Sequence, residues 1–218
     1  MNIKLVIFDL DGTLVDAYAA IAKSVNFTLK ALGYPQAPSH RIRRAVGWGD
    51  KRLLAVFIDE KDSRKALLIY RRHHRVSLRK YARLLPFAKT LLNYLSRGGF
   101  KMAIASNRPT EFTRIILGRL KIRKYFDYVL CADKLPQGKP NPEILFRIMK
   151  RLKINPDEAV YAGDMVIDVQ TARNAGVKSI AVCGGSSSLS EIKKARPFKI
   201  IKSLAFLTKF LQLFLFKL

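Results

Sequence analysis

The chain has 218 residues, 49% of them apolar, which is enough for one domain with a full core and excludes wholesale disorder. Forty-one Lys and Arg against 16 Asp and Glu leave a formal charge of +25, which raises the question of a nucleic-acid or anionic-membrane partner. Cys131 and Cys183 are far apart and lack metal spacing, so a disulfide scaffold and a cysteine-rich zinc module are excluded and a reducing compartment is expected.

At the N-terminus, Ile3 to Phe8 is a short β-branched run that reads as a buried strand. It meets aspartates and no small-residue cleavage site, unlike a secretory leader. The interval from Val15 to Leu85 shows no convincing strand. Tyr18, Ile21, Ala22, Val25, Leu29 and Leu32 recur at helical spacing and stop before Gly33. Leu53, Leu54 and Phe57 suggest a helix opened by Asp50, and Leu67 to Leu78 another. Beyond it, Phe87, Leu91, Leu92 and Leu95 share a helical face, as do Ile144, Leu145, Ile148 and Leu152. Strands are expected at Met102 to Ala105, Val129 to Cys131, Ala159 to Ala162, Ser179 to Val182 and Lys199 to Ile201. Gly184 to Ser188 reads as a loop. Leu204, Leu207, Leu211 and Leu215, with Phe206, Phe210 and Phe214, form two neighbouring stripes. They suit a last helix packed on the sheet, or a dimer or membrane contact.

Strands alternating with helices predict an α/β fold: a Rossmann-like parallel sheet with helices on both faces and an inserted small α-helical cap. The core is expected at residues 1–14 and 86–218, and the cap at residues 15–85. No uncharged apolar stretch reaches the roughly 18 residues of a membrane span, so a cytoplasmic protein is expected.

Four polar clusters follow strands or open helices: Asp9-Leu10-Asp11-Gly12-Thr13, Ser106-Asn107-Arg108, Lys139-Pro140-Asn141-Pro142 and Gly163-Asp164 to Asp168. In open α/β sheets the carboxyl ends of the strands form the ligand crevice, so the clusters should converge. Several carboxylates suit Mg²⁺, while a lysine and a small hydroxyl can hold transferring phosphoryl oxygens. One aspartate could attack phosphorus directly. Taken singly, Asp9 and Asp11 could form a turn with Gly12, and Asp164 and Asp168 could cap a helix. Four such clusters in order favour chemistry.

Asp9-Leu10-Asp11-Gly12-Thr13-Leu14-Val15-Asp16 resembles the first motif of haloacid dehalogenase superfamily phosphatases. Ser106-Asn107, Lys139-Pro140 and Gly163-Asp164 with Asp168 are similar to the second, third and fourth. The resemblance implies that Asp9 is the nucleophile and Asp11 the general acid and later base. It implies Mg²⁺ held by the Asp9 carboxylate, the Asp11 backbone carbonyl and Asp164, and a phosphoryl group held by Ser106, Asn107 and Lys139. Asp168 would order the metal surroundings or Lys139, or ligate directly. Met165 replaces the Ser or Thr of many relatives. An acid at position 11 favours phosphate esters over dehalogenation, and Thr13 weakly disfavours the phosphoglucomutase branch.

The stretch Tyr70-Arg71-Arg72-His73-His74 and Leu85-Pro86 look like phosphoglycolate phosphatase relatives, which often read Pro-Gly where this chain has Pro86-Phe87. The expected activity is hydrolysis of a small phosphorylated metabolite such as phosphoglycolate. A sugar-phosphate mutase of the β-phosphoglucomutase type and a non-catalytic polyanion-binding protein are the alternatives. A monomer or homodimer is expected.

The remaining conspicuous residues have local readings. His40, His73 and His74 suit surface or lid packing, because adjacent helical residues face different ways. Trp48, between Gly47 and Gly49, suits packing or a substrate entrance, and the cysteines suit small apolar filling. The basic residues of the lid, Arg71, Arg72 and Arg75 among them, read as a solvated face, a steering field for anionic substrate, or a polyanion dock. No nucleic-acid-binding motif accompanies them, so no dedicated nucleic-acid partner is expected.

Overall fold

A computed structural model describes residues 2–215, with side chains through residue 212. Among the described residues the strands are β1 (Leu5–Phe8), β2 (Val15–Asp16), β3 (Arg83–Leu84), β4 (Lys101–Ser106), β5 (Tyr128–Cys131), β6 (Ala159–Gly163), β7 (Lys178–Val182) and β8 (Lys199–Ile201). The α-helices are α1 (Tyr18–Ala31), α2 (Ser39–Ala45), α3 (Asp50–Ala55), α4 (Ser63–Tyr81), α5 (Ala88–Arg97), α6 (Thr110–Arg119), α7 (Glu143–Leu152), α8 (Val166–Asn174), α9 (Leu189–Ala195) and α10 (Leu204–Leu215).

Six strands form one parallel sheet in the order β5-β4-β1-β6-β7-β8. Its central strands are apolar on both sides, as expected for strands with a helical layer over each face. Val6 and Phe8 point into a cluster with α5 residues Leu91 and Leu95 and α10 residues Leu207 and Leu211. Leu5 and Ile7 point the other way, toward Ile144, Leu145 and Ile148 of α7 and Ala172 of α8. The chain runs outward from β1 to β5 and then returns to place β6 on the other side of β1. That reversal puts the ends of β1, β4 and β6 around one crevice.

Between β1 and β4 the chain leaves the sheet, forms α1 to α4 and returns. The expectation that this interval lacks strands needs correction, since β2 and β3 pair antiparallel at its base, Val15 with Leu84 and Asp16 with Arg83. Two residues per strand are too few to show period-two alternation. Helix α1 packs along α4, and Gly33 takes the left-handed φ of +79° just past the α1 C-cap, as its sequence position predicts. Helix α2 was not marked by apolar spacing, because only Ile42 in it is buried. Phe57 lies beyond the end of α3. Leu204, Leu207 and Leu211 bury one side of α10 in the core, whereas Phe206 is exposed. The expected contributions of Phe214 and Leu215 fall outside the described side chains.

Candidate active site

All four clusters meet at the carboxyl ends of β1, β4 and β6. The Lys139 ammonium is buried and lies 2.7 Å from Asp9 Oδ1, 2.6 Å from Asp168 Oδ1 and 2.9 Å from the Tyr161 hydroxyl. Burial works against that charge, but Asp168 and Asp9 more than offset it and hold Lys139 well above its ordinary pKa. Tyr161, from β6, donates its own proton to Asp168 Oδ1 at 2.9 Å. Asp168 Oδ2 accepts the Met165 amide at 3.0 Å. Asp168 therefore serves the α8 N-terminus and Lys139 together.

Asp164 is fully buried and accepts hydrogen bonds from Thr13 Oγ1 at 3.1 Å, the Ser186 amide at 2.8 Å and the Tyr18 hydroxyl at 3.4 Å. Gly185 must be glycine here, since a Cβ would lie 1.8 Å from Asp164 Oδ2. The Gly184 to Ser188 segment is thus part of the site wall, a role that its composition alone did not reveal. Asn107 binds across the crevice. Its Oδ1 accepts the Lys139 amide at 2.8 Å, and its Nδ2 donates to Gly47 O at 2.9 Å, on the segment between α2 and α3. The Met165 side chain fills the space beside Gly47, where a Cβ would collide with its sulfur. Ser106 is buried at the end of β4, and its hydroxyl accepts the Arg108 amide at 3.2 Å.

Oxygens of Asp9, Asp164 and Asp168 lie within 4.8 Å of one another. With Lys139 they carry a formal charge of −2. Burial, opposed by Lys139 and reinforced by Asp168, pushes Asp9 up to about 7. Burial and then the charges of Asp9 and Asp168 raise Asp164 well above its ordinary value. Three hard oxygen donors short of two positive charges fit a small divalent cation such as Mg²⁺.

Arg108 completes the arrangement and was not foreseen in any role. Its Nε and Nη2 donate to the two Asp11 carboxylate oxygens at 2.7 and 2.8 Å. Its Nη1 donates to His74 Nε2 at 2.8 Å. His74 Nδ1 lies 3.0 Å from Ser24 Oγ, which donates to Ala20 O. Burial, and next the charge of Arg108, lower the His74 pKa well below its ordinary value, so this imidazole stays neutral and can accept from Arg108. The lid-packing expectation for His74 holds, with an added tie to the site. His73 stacks on Phe27 and also reaches Ser24 Oγ, at 3.1 Å.

A cavity of about 50 Å³ remains between Asp9, Asp11, Ser106 and Arg108 below and Tyr70 and Leu53 above. Asp50 also lines it and is held by Arg71 at 2.7 Å. Arg75 pairs with Glu111 and Arg44 with Glu191, so part of the basic lid surface is committed to ion pairs. Trp48 is exposed beneath Arg52 and lines an open groove with Asn107 and Lys139, a position that suits an entrance better than packing. Cys131 is buried as expected, but Cys183 is half-buried.

The family model of haloacid dehalogenase-like hydrolases matches residues 6–182. The chain belongs to that family. It is 34% identical to the phosphoglycolate phosphatase of Nitrosospira multiformis, over 97% of both chains. It is 32% identical to phosphoglycolate phosphatase 1 of Pseudomonas aeruginosa, over 92% of this chain and 77% of that one. The crystal structure of a predicted phosphoglycolate phosphatase from Haemophilus somnus superposes with a TM-score of 0.91 at 27% identity, covering 96% of this chain and 98% of that one. In this haloacid dehalogenase-like hydrolase the four clusters lie where the sequence placed them, three at strand ends and that of Lys139 before α7. Among the described residues, no helix is long and apolar enough to cross a membrane.

Proposed function

We propose that this hydrolase is a cytoplasmic, Mg²⁺-dependent phosphatase of small phosphate monoesters such as phosphoglycolate. The observation that carries the reading is the buried Asp9 carboxylate, bound by Lys139 and facing a small cavity beside Ser106 and Asp11. Asp9 attacks phosphorus, forming an aspartyl-phosphate as the ester P–O bond breaks. Asp11 gives a proton to the departing oxygen and then takes one from the water that hydrolyses the aspartyl-phosphate. The three N–H donors of Lys139 are occupied by Asp9, Asp168 and Tyr161. A phosphoryl oxygen replaces the Asp9 contact once Asp9 is engaged. The Ser106 hydroxyl donates to a second phosphoryl oxygen, and Asn107 holds the Lys139 backbone against the lid.

Asp9, Asp164 and the Asp11 backbone carbonyl would hold Mg²⁺, with Asp168 ordering Lys139. When bound, the ion would offset part of the charge of the acidic trio and of the phosphoryl group. Between a short ester and the sugar phosphate that a mutase needs, Thr13 favours the short ester, as the family resemblance implies. The two relatives named as phosphoglycolate phosphatases support the same choice. The test is phosphate release from phosphoglycolate with and without Mg²⁺, run beside conversion of a sugar 1-phosphate to its 6-phosphate. Mg²⁺-dependent release supports the phosphatase, and isomerisation without release supports the mutase. Neither activity, with tight polyanion binding, supports the non-catalytic alternative.

A further inference from the structure

The phosphatase reading leaves Arg108 without a task of its own. Both Asp11 carboxylate oxygens accept from its guanidinium. Each oxygen keeps a second lone pair, so the pair orients Asp11 without barring it from the acid's role. Arg108 can therefore serve something more.

The cavity indicates what. Arg108 and Lys139 are the cations lining it, and Lys139 has all its donors engaged deeper in the site. The one lining carboxylate from the lid, Asp50, is held by Arg71. The other surfaces facing the leaving-group end include Ile21, Val46, Leu53 and Phe112, which offer an anion nothing. A guanidinium carries five N–H donors, and Asp11 and His74 take three of those on Arg108. One N–H on each terminal nitrogen is left to donate to an anion such as a carboxylate.

We infer that Arg108 is the residue that selects the substrate: its two remaining N–H groups bind a carboxylate carried beside the phosphate ester. His74 is a positioning residue in this scheme. Its Nε2 anchors Nη1 from the lid side while Asp11 holds the other edge, so the guanidinium stays fixed in the cavity wall. An ester without a second anion leaves those two N–H groups unused. No covalent bond of Arg108 is made or broken; it gains one ion pair.

The inference rests on the phosphatase reading, and the test separates the two. Phosphate release is measured with Mg²⁺ for 2-phosphoglycolate and for ethyl phosphate, which lacks the carboxylate. Wild type should favour the carboxylated ester in kcat/KM by about 10- to 100-fold, the range expected for hydrogen bonds to a charged group. Arg108→Gln should lose far more activity on 2-phosphoglycolate than on ethyl phosphate, shrinking the preference to within about threefold. Arg108→Lys should recover part of it. Equal losses on both esters, or no preference in wild type, would overturn the inference while leaving the phosphatase standing. Release from neither ester by wild type would overturn both. Should the Gln variant not fold by circular dichroism, inhibition of aryl phosphate hydrolysis in wild type decides. Glycolate should inhibit and ethylene glycol should not; equal effects would overturn the inference.

Discussion

The sheet and the helical insert hold their polar groups in opposite ways. At the strand ends, Asp9, Lys139, Asp164 and Asp168 are buried, and each has partners from more than one part of the chain. On the insert most charges are exposed. Two of its polar groups are tied to the cavity: Asp50 lines it and is held by Arg71, and the neutral His74 binds Arg108. The sheet supplies rigid chemistry, and the insert supplies walls and a single hydrogen bond to the cation that governs Asp11. Changes in the first region should therefore abolish turnover, while changes in the second should alter substrate preference, encounter or stability.

The largest effect belongs to the sheet. Asp9→Asn should lower kcat by at least about a thousandfold with the fold retained, because an amide is a poor nucleophile. Turnover near wild type in the purified variant would remove Asp9 from its proposed role. Asp164→Ala should follow, with activity down about a hundredfold or more and no response to added Mg²⁺. A normal Mg²⁺ titration would show that Asp164 serves only Thr13 and the Ser186 amide.

The insert should give smaller numbers. If its free cations steer substrate, kcat/KM on the best substrate should fall several-fold as salt rises from about 0.05 to 0.5 M, while kcat holds. Arg64, Lys65 and Arg72 are exposed on α4 and suit this experiment better than Arg71 and Arg75, which are engaged with Asp50 and Glu111. Their joint replacement by Gln should flatten the salt dependence. A salt-independent kcat/KM in wild type would leave a merely solvated face. Parallel titrations with single-stranded nucleic acid, expected to show no tight binding even at low salt, test the polyanion alternative.

The smallest effect lies where the insert rejoins the sheet. Phe87 has the left-handed φ of +65° just before α5 and is exposed. Phe87→Gly should raise unfolding free energy by about 0.5–1 kcal/mol, as the strain exceeds the entropy cost of glycine. A urea melt showing lower stability would mean that the ring packs more than its exposure suggests.

This division also governs what could be read in advance. Asp9, Ser106, Lys139 and Asp164 follow strands or open a helix, so apolar runs plus the adjoining polar residues located them. Tyr161 was read as strand core, yet its hydroxyl ties Lys139 to Asp168. Tyr18 was read as one member of an apolar helical stripe, yet it reaches Asp164 and Ser186. An aromatic with a polar tip satisfies both descriptions, and periodicity registers only the apolar body. Arg108 stood inside a recognised cluster, but its pairing with Asp11 depends on β1 lying beside β4, and that with His74 on which face of α4 meets α6. Local spacing carries no such information. The Pro86-Phe87 departure was visible, whereas its left-handed backbone was not.

The buried acidic trio has a consequence for anyone who sets out to make this chain sturdier. Without a cation, Asp9 is pushed to about 7, so holding it ionised at higher pH costs the fold energy. A carboxyl raised in this way keeps a proton in the folded state that the unfolded state gives up, so its penalty is full above pH 7 and fades as pH falls toward 4. Asp9→Asn should accordingly melt higher than wild type in chelator at pH 8, with the gap narrowing as pH falls toward 4 and when Mg²⁺ is added. A selection for heat resistance in metal-free buffer would then find its easiest gain by discarding the nucleophile, and the sturdiest descendants of this chain would be its dead ones.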